Sequence, residues 1–254
     1  MASELETPQG RRIAYRRSAA TGAGVGRPGV VFLGGFRSDM EGTKATRLEA
    51  WAQATGHGFL RFDYSGHGSS SGDFLDGAIG DWAEDAMAAI TALTEGPQVL
   101  VGSSMGGWIA LLLAKALPGR VAGLVGIAAA PDFTEDSMWA GFDAGQRAAL
   151  VETGRVALPS DYSEEPYVIT RRLIEEGRRN LVLRSPLTLR FPVRLLQGTA
   201  DRDVPPSVAL RILDHAQGDD IRLTLVKGAD HRFSDEPCLS LVEAAVAEVL
   251  AAIR

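Results

Sequence analysis

Along the chain, short apolar runs alternate with stretches whose apolar residues recur every three or four positions, and glycine-containing turns separate the two kinds. Val30-Val31-Phe32-Leu33, closed by Gly34-Gly35, predicts a strand buried on both faces. Leu48, Trp51, Ala52 and Thr55 then fall at helical spacing, with Gly56 and Gly58 placed to end that helix. Phe59-Leu60-Arg61-Phe62 predicts the next strand, and Trp82, Ala86, Ala89, Ile90 and Leu93 one face of the next helix. Val99-Leu100-Val101 predicts a strand, and Trp108 to Leu117 a helix that Pro118 stops. Val121 to Ile127, Val193 to Leu196 and Ile221 to Val226 predict further strands. Leu239, Val242, Val246, Val249, Leu250 and Ile253 make the stripe of a last helix, with Pro237 in its first turn. Arg12 to Arg17 adds an early strand after the turn Pro8-Gln9-Gly10. The alternation predicts an α/β fold, a mostly parallel central sheet flanked by helices.

One stretch breaks the rhythm. Residues 132–188 carry charged and aromatic residues without a clear strand, too long for a simple connection. They are expected to form a helical lid insertion over the site; an ordinary surface excursion is the alternative. The whole, residues 1–254, is expected to be a single domain, since α/β folds often exceed 200 residues without splitting.

Composition narrows the class. Apolar residues make up 45% and charged residues 23%, ordinary for a globular chain with a sizeable core. The net charge of −6 gives no general attraction to phosphate backbones, so nucleic acid is not an expected partner. No apolar stretch reaches the roughly 18 residues of a membrane span. The N-terminal residues lack a basic segment followed by an apolar run. Cys238 is the one cysteine, compatible with a reducing compartment. A cytoplasmic location is the expectation.

The chemistry concentrates at Gly102-Ser103-Ser104-Met105-Gly106. This Gly-x-Ser-x-Gly pattern lies directly after a predicted strand and before a predicted helix, the setting the pattern needs. A tight turn there lifts the Ser104 hydroxyl above the sheet edge, and the amides and dipole of the following helix favour negative charge developing on a substrate oxygen. A strand-to-helix turn with an incidental serine is the competing explanation for so short a motif.

A serine hydroxyl needs a base, and the base a group that holds its tautomer. In this kind of fold the partners follow the nucleophile in the order acid, then histidine. His57 and His67 precede Ser104; the first sits at a glycine-flanked helix terminus and suits a solvated surface role, the second suits ordering its own loop. His215 falls near the end of a predicted helix over Val208 to Ala216. His231 follows the strand Ile221 to Val226 on a loop and is the candidate base. Asp201, just past Leu195-Leu196-Gln197-Gly198, is the candidate acid, with Asp203 as near competitor and Asp230 as a loop residue. The loop Gly34-Gly35-Phe36-Arg37-Ser38-Asp39-Met40 follows an early central strand. Its glycines allow close backbone approach, and the amides of Phe36 and Met105 are the candidate oxyanion hole.

These residues resemble the α/β-hydrolase superfamily over nearly the whole chain. Gly35 to Met40 followed by Gly42 and Lys44-Ala45, Phe62-Asp63-Tyr64-Ser65-Gly66-His67-Gly68, Gly102 to Trp108, and His231-Arg232-Phe233-Ser234 are similar to the abhydrolase-domain acyl-protein thioesterases. A mitochondrial animal member of that group removes palmitoyl groups from proteins and cleaves acyl glucuronides. Many relatives open the oxyanion loop with His-Gly, where this chain has Gly34. The resemblance implies a triad of Ser104, Asp201 and His231, an oxyanion hole at Phe36 and Met105, no cofactor and no metal.

The expected activity is therefore hydrolysis of a carboxylic ester or thioester, on a small-molecule or acylated-protein substrate, through an acyl-enzyme. The same triad also serves a carboxylesterase, a lactonase or a carbon–carbon hydrolase, and the same scaffold a non-catalytic receptor. Met138, Trp139 and Phe142 are expected to border an acyl chain or else to pack in the core. Arg171-Arg172 and Arg178-Arg179 suit either an anionic substrate or a solvated helix face.

Overall fold

The computed structural model describes residues 2–158 and 166–253. Eight strands form one sheet: β1 (Ser3–Glu6), β2 (Arg12–Ser18), β3 (Gly29–Leu33), β4 (Phe59–Phe62), β5 (Gln98–Ser103), β6 (Val121–Ile127), β7 (Val193–Gly198) and β8 (Ile221–Val226). Their spatial order is β1-β2-β4-β3-β5-β6-β7-β8. β2 is antiparallel to both of its neighbours, and the other pairs are parallel.

The contiguous apolar runs are explained by burial on both faces. Along β3, Val30 and Phe32 enter one core layer while Val31 and Leu33 enter the other; along β5, Val99 and Val101 oppose Leu100 in the same way. Helices α1 (Thr43–Thr55) and α7 (Glu236–Ala252) cover the first layer, and α2 (Ile79–Leu93), α3 (Met105–Ala116) and α6 (Pro206–His215) the second. Burying each Val, Leu or Ile side chain contributes about 1.5–3 kcal/mol, which makes this two-sided patterning the main support of the sheet. Gly56 ends α1 in the left-handed region at φ 80°, its N–H on Ala52 O. Among the described residues no helix is long and apolar enough to cross a membrane.

β1 was not expected. Its Ser-Glu-Leu-Glu run has no apolar alternation, because it is a largely exposed edge strand paired with β2 through register Ser3 with Tyr15 to Glu6 with Arg12, with Leu5 alone of its side chains turned to the core. The stretch after β6 also departs from expectation. It contains a π-helical turn (Thr134–Trp139) and helices α4 (Ala144–Thr153) and α5 (Arg171–Gly177), but also an antiparallel hairpin of Arg155–Leu158 with Tyr167–Thr170. Each hairpin strand has only four residues, too few to show a period of two against a mixed background. Residues 159–165 of the insertion lie outside the described residues.

Asp132 closes the base of this insertion. Its fully buried carboxylate accepts the N–H groups of Val182 at 2.7 Å and Leu183 at 3.0 Å, and Arg184 at 3.1 Å. Residues at the two ends of the excursion are thereby held together, so it behaves as a closed loop on the scaffold.

The topology also dictates where a ligand site forms. β3 and β5 are neighbours, yet α1 after β3 and α3 after β5 pack on opposite faces. The two connections part at the carboxyl ends of these strands and leave a crevice there.

Candidate active site

Ser104 stands at this crevice, between β5 and α3, at φ 54° and ψ −117°. A non-glycine residue in such a conformation costs on the order of 1–3 kcal/mol and persists only where its surroundings impose it. Here they do. The Ser104 N–H donates to Ile127 O at 2.9 Å. A side chain at Gly102 would overlap the Gly106 backbone, and one at Gly106 would overlap the Leu33 carbonyl. The two glycines of the motif thus let β3, β5 and α3 approach closely enough to force the turn. α3 begins at Met105, so the Met105 N–H is one of the four helix-start amides without an intrahelical acceptor.

Three groups far apart in sequence meet at the turn. His231 Nε2 lies 3.1 Å from Ser104 Oγ, and His231 Nδ1 lies 2.9 Å from Asp201 Oδ2. With Nδ1–H donating to Asp201, Nε2 is free to accept the Ser104 hydroxyl proton. Asp201 is itself fixed: Gln197 Nε2 donates to Oδ2 at 2.9 Å, and the N–H groups of Asp203 and Val204 donate to Oδ1 at 3.0 and 2.8 Å. Burial would raise this carboxyl's pKa, but the bonds from His231, Val204 and Gln197 together with the His231 charge hold it below the ordinary carboxylate value. Of the two competing acids, Asp201 faces His231, while Asp203 turns its N–H to Asp201.

Ligand atoms of Asp201, Asp203 and His231 lie within 4.8 Å of one another. A cation there would have to displace the His231–Asp201 bond and the two amides on Oδ1, so these donors fit a hydrogen-bonded series better than a metal centre.

The loop after β3 lies against the same serine. A methyl group at Gly35 would sit 3.5 Å from Ser104 Cβ and 3.5 Å from Ser103 O. Gly35 O accepts both the N–H and the hydroxyl of Ser38, at 3.2 and 2.8 Å. In a planar trans peptide the N–H points opposite to the C=O, so these two bonds aim the Phe36 N–H away from Ser38. The Phe36 ring is anchored edge-on to Phe74, Trp82 and Phe133, with centroids at 4.9, 6.0 and 5.7 Å.

A cavity of about 640 Å³ opens over Ser104 and His231. Phe133, Met138, Leu158, Tyr167 and Ile169 of the insertion form an apolar part of its wall, while Ser38, Asp39, Thr43, Lys44, Arg232 and Ser234 form a polar part. Of the three insertion residues expected at an acyl chain, Met138 lines the cavity. Trp139 instead lies beneath Arg147 and Arg178, whose guanidinium carbons sit 5.2 and 4.7 Å from its ring centre, and Phe142 is buried beside it.

The model of the alpha/beta hydrolase family matches residues 30–249. The chain belongs to the α/β-hydrolase family. The palmitoyl-protein thioesterase ABHD10, mitochondrial, of Rattus norvegicus is 36% identical over 241 residues, covering 94% of this chain and 79% of the relative. The Homo sapiens counterpart is 35% identical, covering 94% and 77%. Among solved structures, an Agrobacterium vitis S4 protein aligns with TM-score 0.94 at 42% identity, over 100% of this chain and 99% of its own. The mouse alpha/beta hydrolase domain-containing protein 10 aligns with TM-score 0.91 at 33% identity, over 100% of both.

Several residues of this α/β hydrolase's site escaped the sequence reading. Gln197 lies buried inside an apolar strand; a lone amide in such a run is the available signal, because a buried amide needs partners. Phe133, Leu158, Tyr167 and Ile169 escaped with the short hairpin. Lys44, in the first turn of α1, lines the cavity and donates from Nζ to Arg232 O, tying the loop after His231 to α1. His57 is stacked on Trp51 at 5.8 Å and half-buried, not fully solvated. His215 is half-buried at the end of α6, its Nε2 2.8 Å from Ser185 O. Arg171, Arg172 and Arg178 each meet a carboxylate, of Glu175, Asp81 and Glu135, which favours the solvated helix face over an anionic substrate.

Proposed function

We propose that this α/β hydrolase is a serine hydrolase of carboxylic esters or thioesters that works through an acyl-enzyme on Ser104, with long-chain acyl thioesters, as on acylated proteins, among its substrates. The observation that carries the reading is the series Asp201–His231–Ser104, with contacts of 2.9 and 3.1 Å, at the floor of a cavity with an apolar wall.

In this mechanism His231 Nε2 takes the Ser104 proton as Oγ attacks the substrate carbonyl carbon. Asp201 keeps the Nδ1–H tautomer and stabilises the imidazolium that forms. The amides of Phe36 and Met105 donate to the oxyanion. Collapse of the tetrahedral intermediate expels the alcohol or thiol, protonated by His231 where required. Water then attacks the acyl-enzyme with His231 as base, regenerating Ser104. The acyl chain lies against Phe133, Met138, Leu158, Tyr167 and Ile169, and the leaving group faces the polar wall. The thioesterase name of the relatives supports the thioester branch.

Ser104→Ala should lower turnover of a p-nitrophenyl ester by about a millionfold with the fold retained. Retained turnover would remove the nucleophile assignment. A panel of acyl thioesters, aryl esters and lactones, compared by kcat/KM, separates the thioesterase from a carboxylesterase or lactonase. Met138→Ala should reduce kcat/KM for a palmitoyl thioester by about 10-fold or more, the scale of losing a methylene or two of apolar contact, and leave an acetyl ester nearly unchanged. Equal losses on both would argue against the acyl wall.

A further inference from the structure

The loop after β4 does more than order itself. Over residues 63–67 it meets the oxyanion loop, residues 34–40, at three successive points. The Tyr64 hydroxyl donates to Gly34 O at 3.5 Å, His67 Nε2 accepts the Arg37 N–H at 3.3 Å, and Asp63 Oδ1 accepts the Met40 N–H at 2.6 Å. The middle bond falls at the weakest place. Arg37 is the third residue of the turn Gly35–Ser38 and has φ 57°, a position that turns of this kind fill with glycine or asparagine. Left-handed backbone is unfavourable at an arginine, whose Cβ crowds the following carbonyl oxygen. The Arg37 guanidinium lies over Phe74 at 5.1 Å and Tyr167 at 5.2 Å, which holds the side chain. The His67 bond holds the peptide that follows Phe36.

His67 is built for that acceptor role. It is buried, with Nδ1 3.1 Å from Ser65 O. A carbonyl can only accept, so Nδ1 carries the proton and Nε2 is left with a lone pair for Arg37. The ring is packed edge-on against Tyr64, Phe74 and Trp82, with centroids at 5.6, 5.0 and 5.1 Å, and Trp82 Nε1 shares the same Ser65 carbonyl at 3.1 Å. Burial pushes its pKa down, against the raising influence of the Ser65 carbonyl and of Asp85, which keeps the neutral form.

We propose that His67 is a positioning residue for the hydrolytic reaction: by accepting the Arg37 N–H it holds the left-handed turn that presents the Phe36 amide to the oxyanion. The inference rests on the reading of Ser104 and Phe36 given above. Its consequence is a selective one. Loss of the bond loosens the donor of the transition state without touching the acyl wall, so kcat falls while KM stays near its original value.

The test is a matched pair of variants. His67→Asn keeps a donor for Ser65 O but is too short to reach the Arg37 N–H; His67→Gln keeps an acceptor at that reach. With a p-nitrophenyl ester, His67→Asn should lose about 10- to 100-fold in kcat, below or at the cost of removing one oxyanion donor outright, with KM within about twofold. Affinity for phenylboronic acid, which forms a tetrahedral adduct on the serine, should fall in parallel, and His67→Gln should recover most of both. Equal activity of the two variants, or losses that follow melting temperature alone, would overturn the proposal. Fluorophosphonate labelling of wild-type Ser104 keeps the two readings apart: no labelling removes the parent reading, whereas labelling with unchanged boronate affinity in folded His67→Asn removes this one. Should neither variant fold, deuterium exchange in the wild-type protein decides. The Arg37 amide should exchange at least about 10-fold more slowly than an unprotected loop amide, and exchange at the unprotected rate overturns the proposal.

Discussion

Asp201 Oδ2 receives His231 Nδ1 at 2.9 Å, and the other oxygen of the same carboxylate receives two backbone amides from its own loop. The carboxylate is therefore oriented before His231 arrives. Asp201→Asn retains an acceptor for the amides and should leave the fold intact, but it presents the wrong partner to Nδ1–H. Turnover of a p-nitrophenyl ester should fall about 10⁴-fold, the scale seen when a triad acid is replaced in this way. Asp203→Asn should stay within a few fold of wild type. The reverse pattern would transfer the acid role to Asp203.

Gly106 has no room for a side chain, because a Cβ there meets the Leu33 backbone. Backbone cannot yield as a flexible side chain can, so Gly106→Ala should cost about 3 kcal/mol or more, at the upper end of overpacking. Gly119→Ala, where the space is open, serves as the control and should change stability by less than about 0.5 kcal/mol. Urea denaturation of the two variants measures the difference; equal midpoints would contradict the steric account of the elbow.

Asp132 accepts hydrogen bonds from both Val182 and Leu183. Asp132→Ala leaves two buried amides without a partner, each costing about 1–3 kcal/mol. Limited proteolysis should then cut within residues 133–182 well before the rest of the chain. Unchanged protease resistance would show that packing alone closes the insertion.

His67 also sets a pH dependence of stability. Burial lowers its pKa in the folded protein; on its surroundings the Ser65 carbonyl and Asp85 oppose this, Arg37 adds to it, and Tyr64 faces the ring as a neutral phenol. The unfolded chain takes up the proton near the ordinary histidine value of about 6.5. The contribution is thus fully present above that pH and is lost as pH falls towards the depressed folded value. His57 shifts in the same direction, also through burial. Unfolding free energy should decline from pH 7.5 to 5.5, and His67→Gln should flatten that slope by up to one proton's worth, about 1.4 kcal/mol per pH unit. Identical slopes in the two proteins would exclude a neutral buried His67.

Much of the fold was legible because the central strands are buried on both sides. Runs such as Val30 to Leu33 and Val99 to Val101 leave no polar face, and the helices between them repeat on a 3.6-residue period. β1 was not legible, since an exposed edge strand needs no apolar alternation. The insertion hairpin was not, since four residues on each side are too few to separate a strand from its surroundings.

The chain by itself determined the order of the chemical groups: a serine in a glycine-bounded turn, then an acid and a histidine, each at the end of an apolar run. Local sequence carries that information because each group is placed by its own strand end. Tertiary structure decided what sequence spacing cannot encode. It gave the His231 Nδ1 hydrogen bond to Asp201, set Gln197 on the Asp201 carboxylate, and turned Met138 but not Trp139 towards the cavity. It also laid His67 across 30 residues onto Arg37. These choices depend on the direction of single side chains and on contacts between loops after neighbouring strands, which the topology creates only once the sheet is assembled.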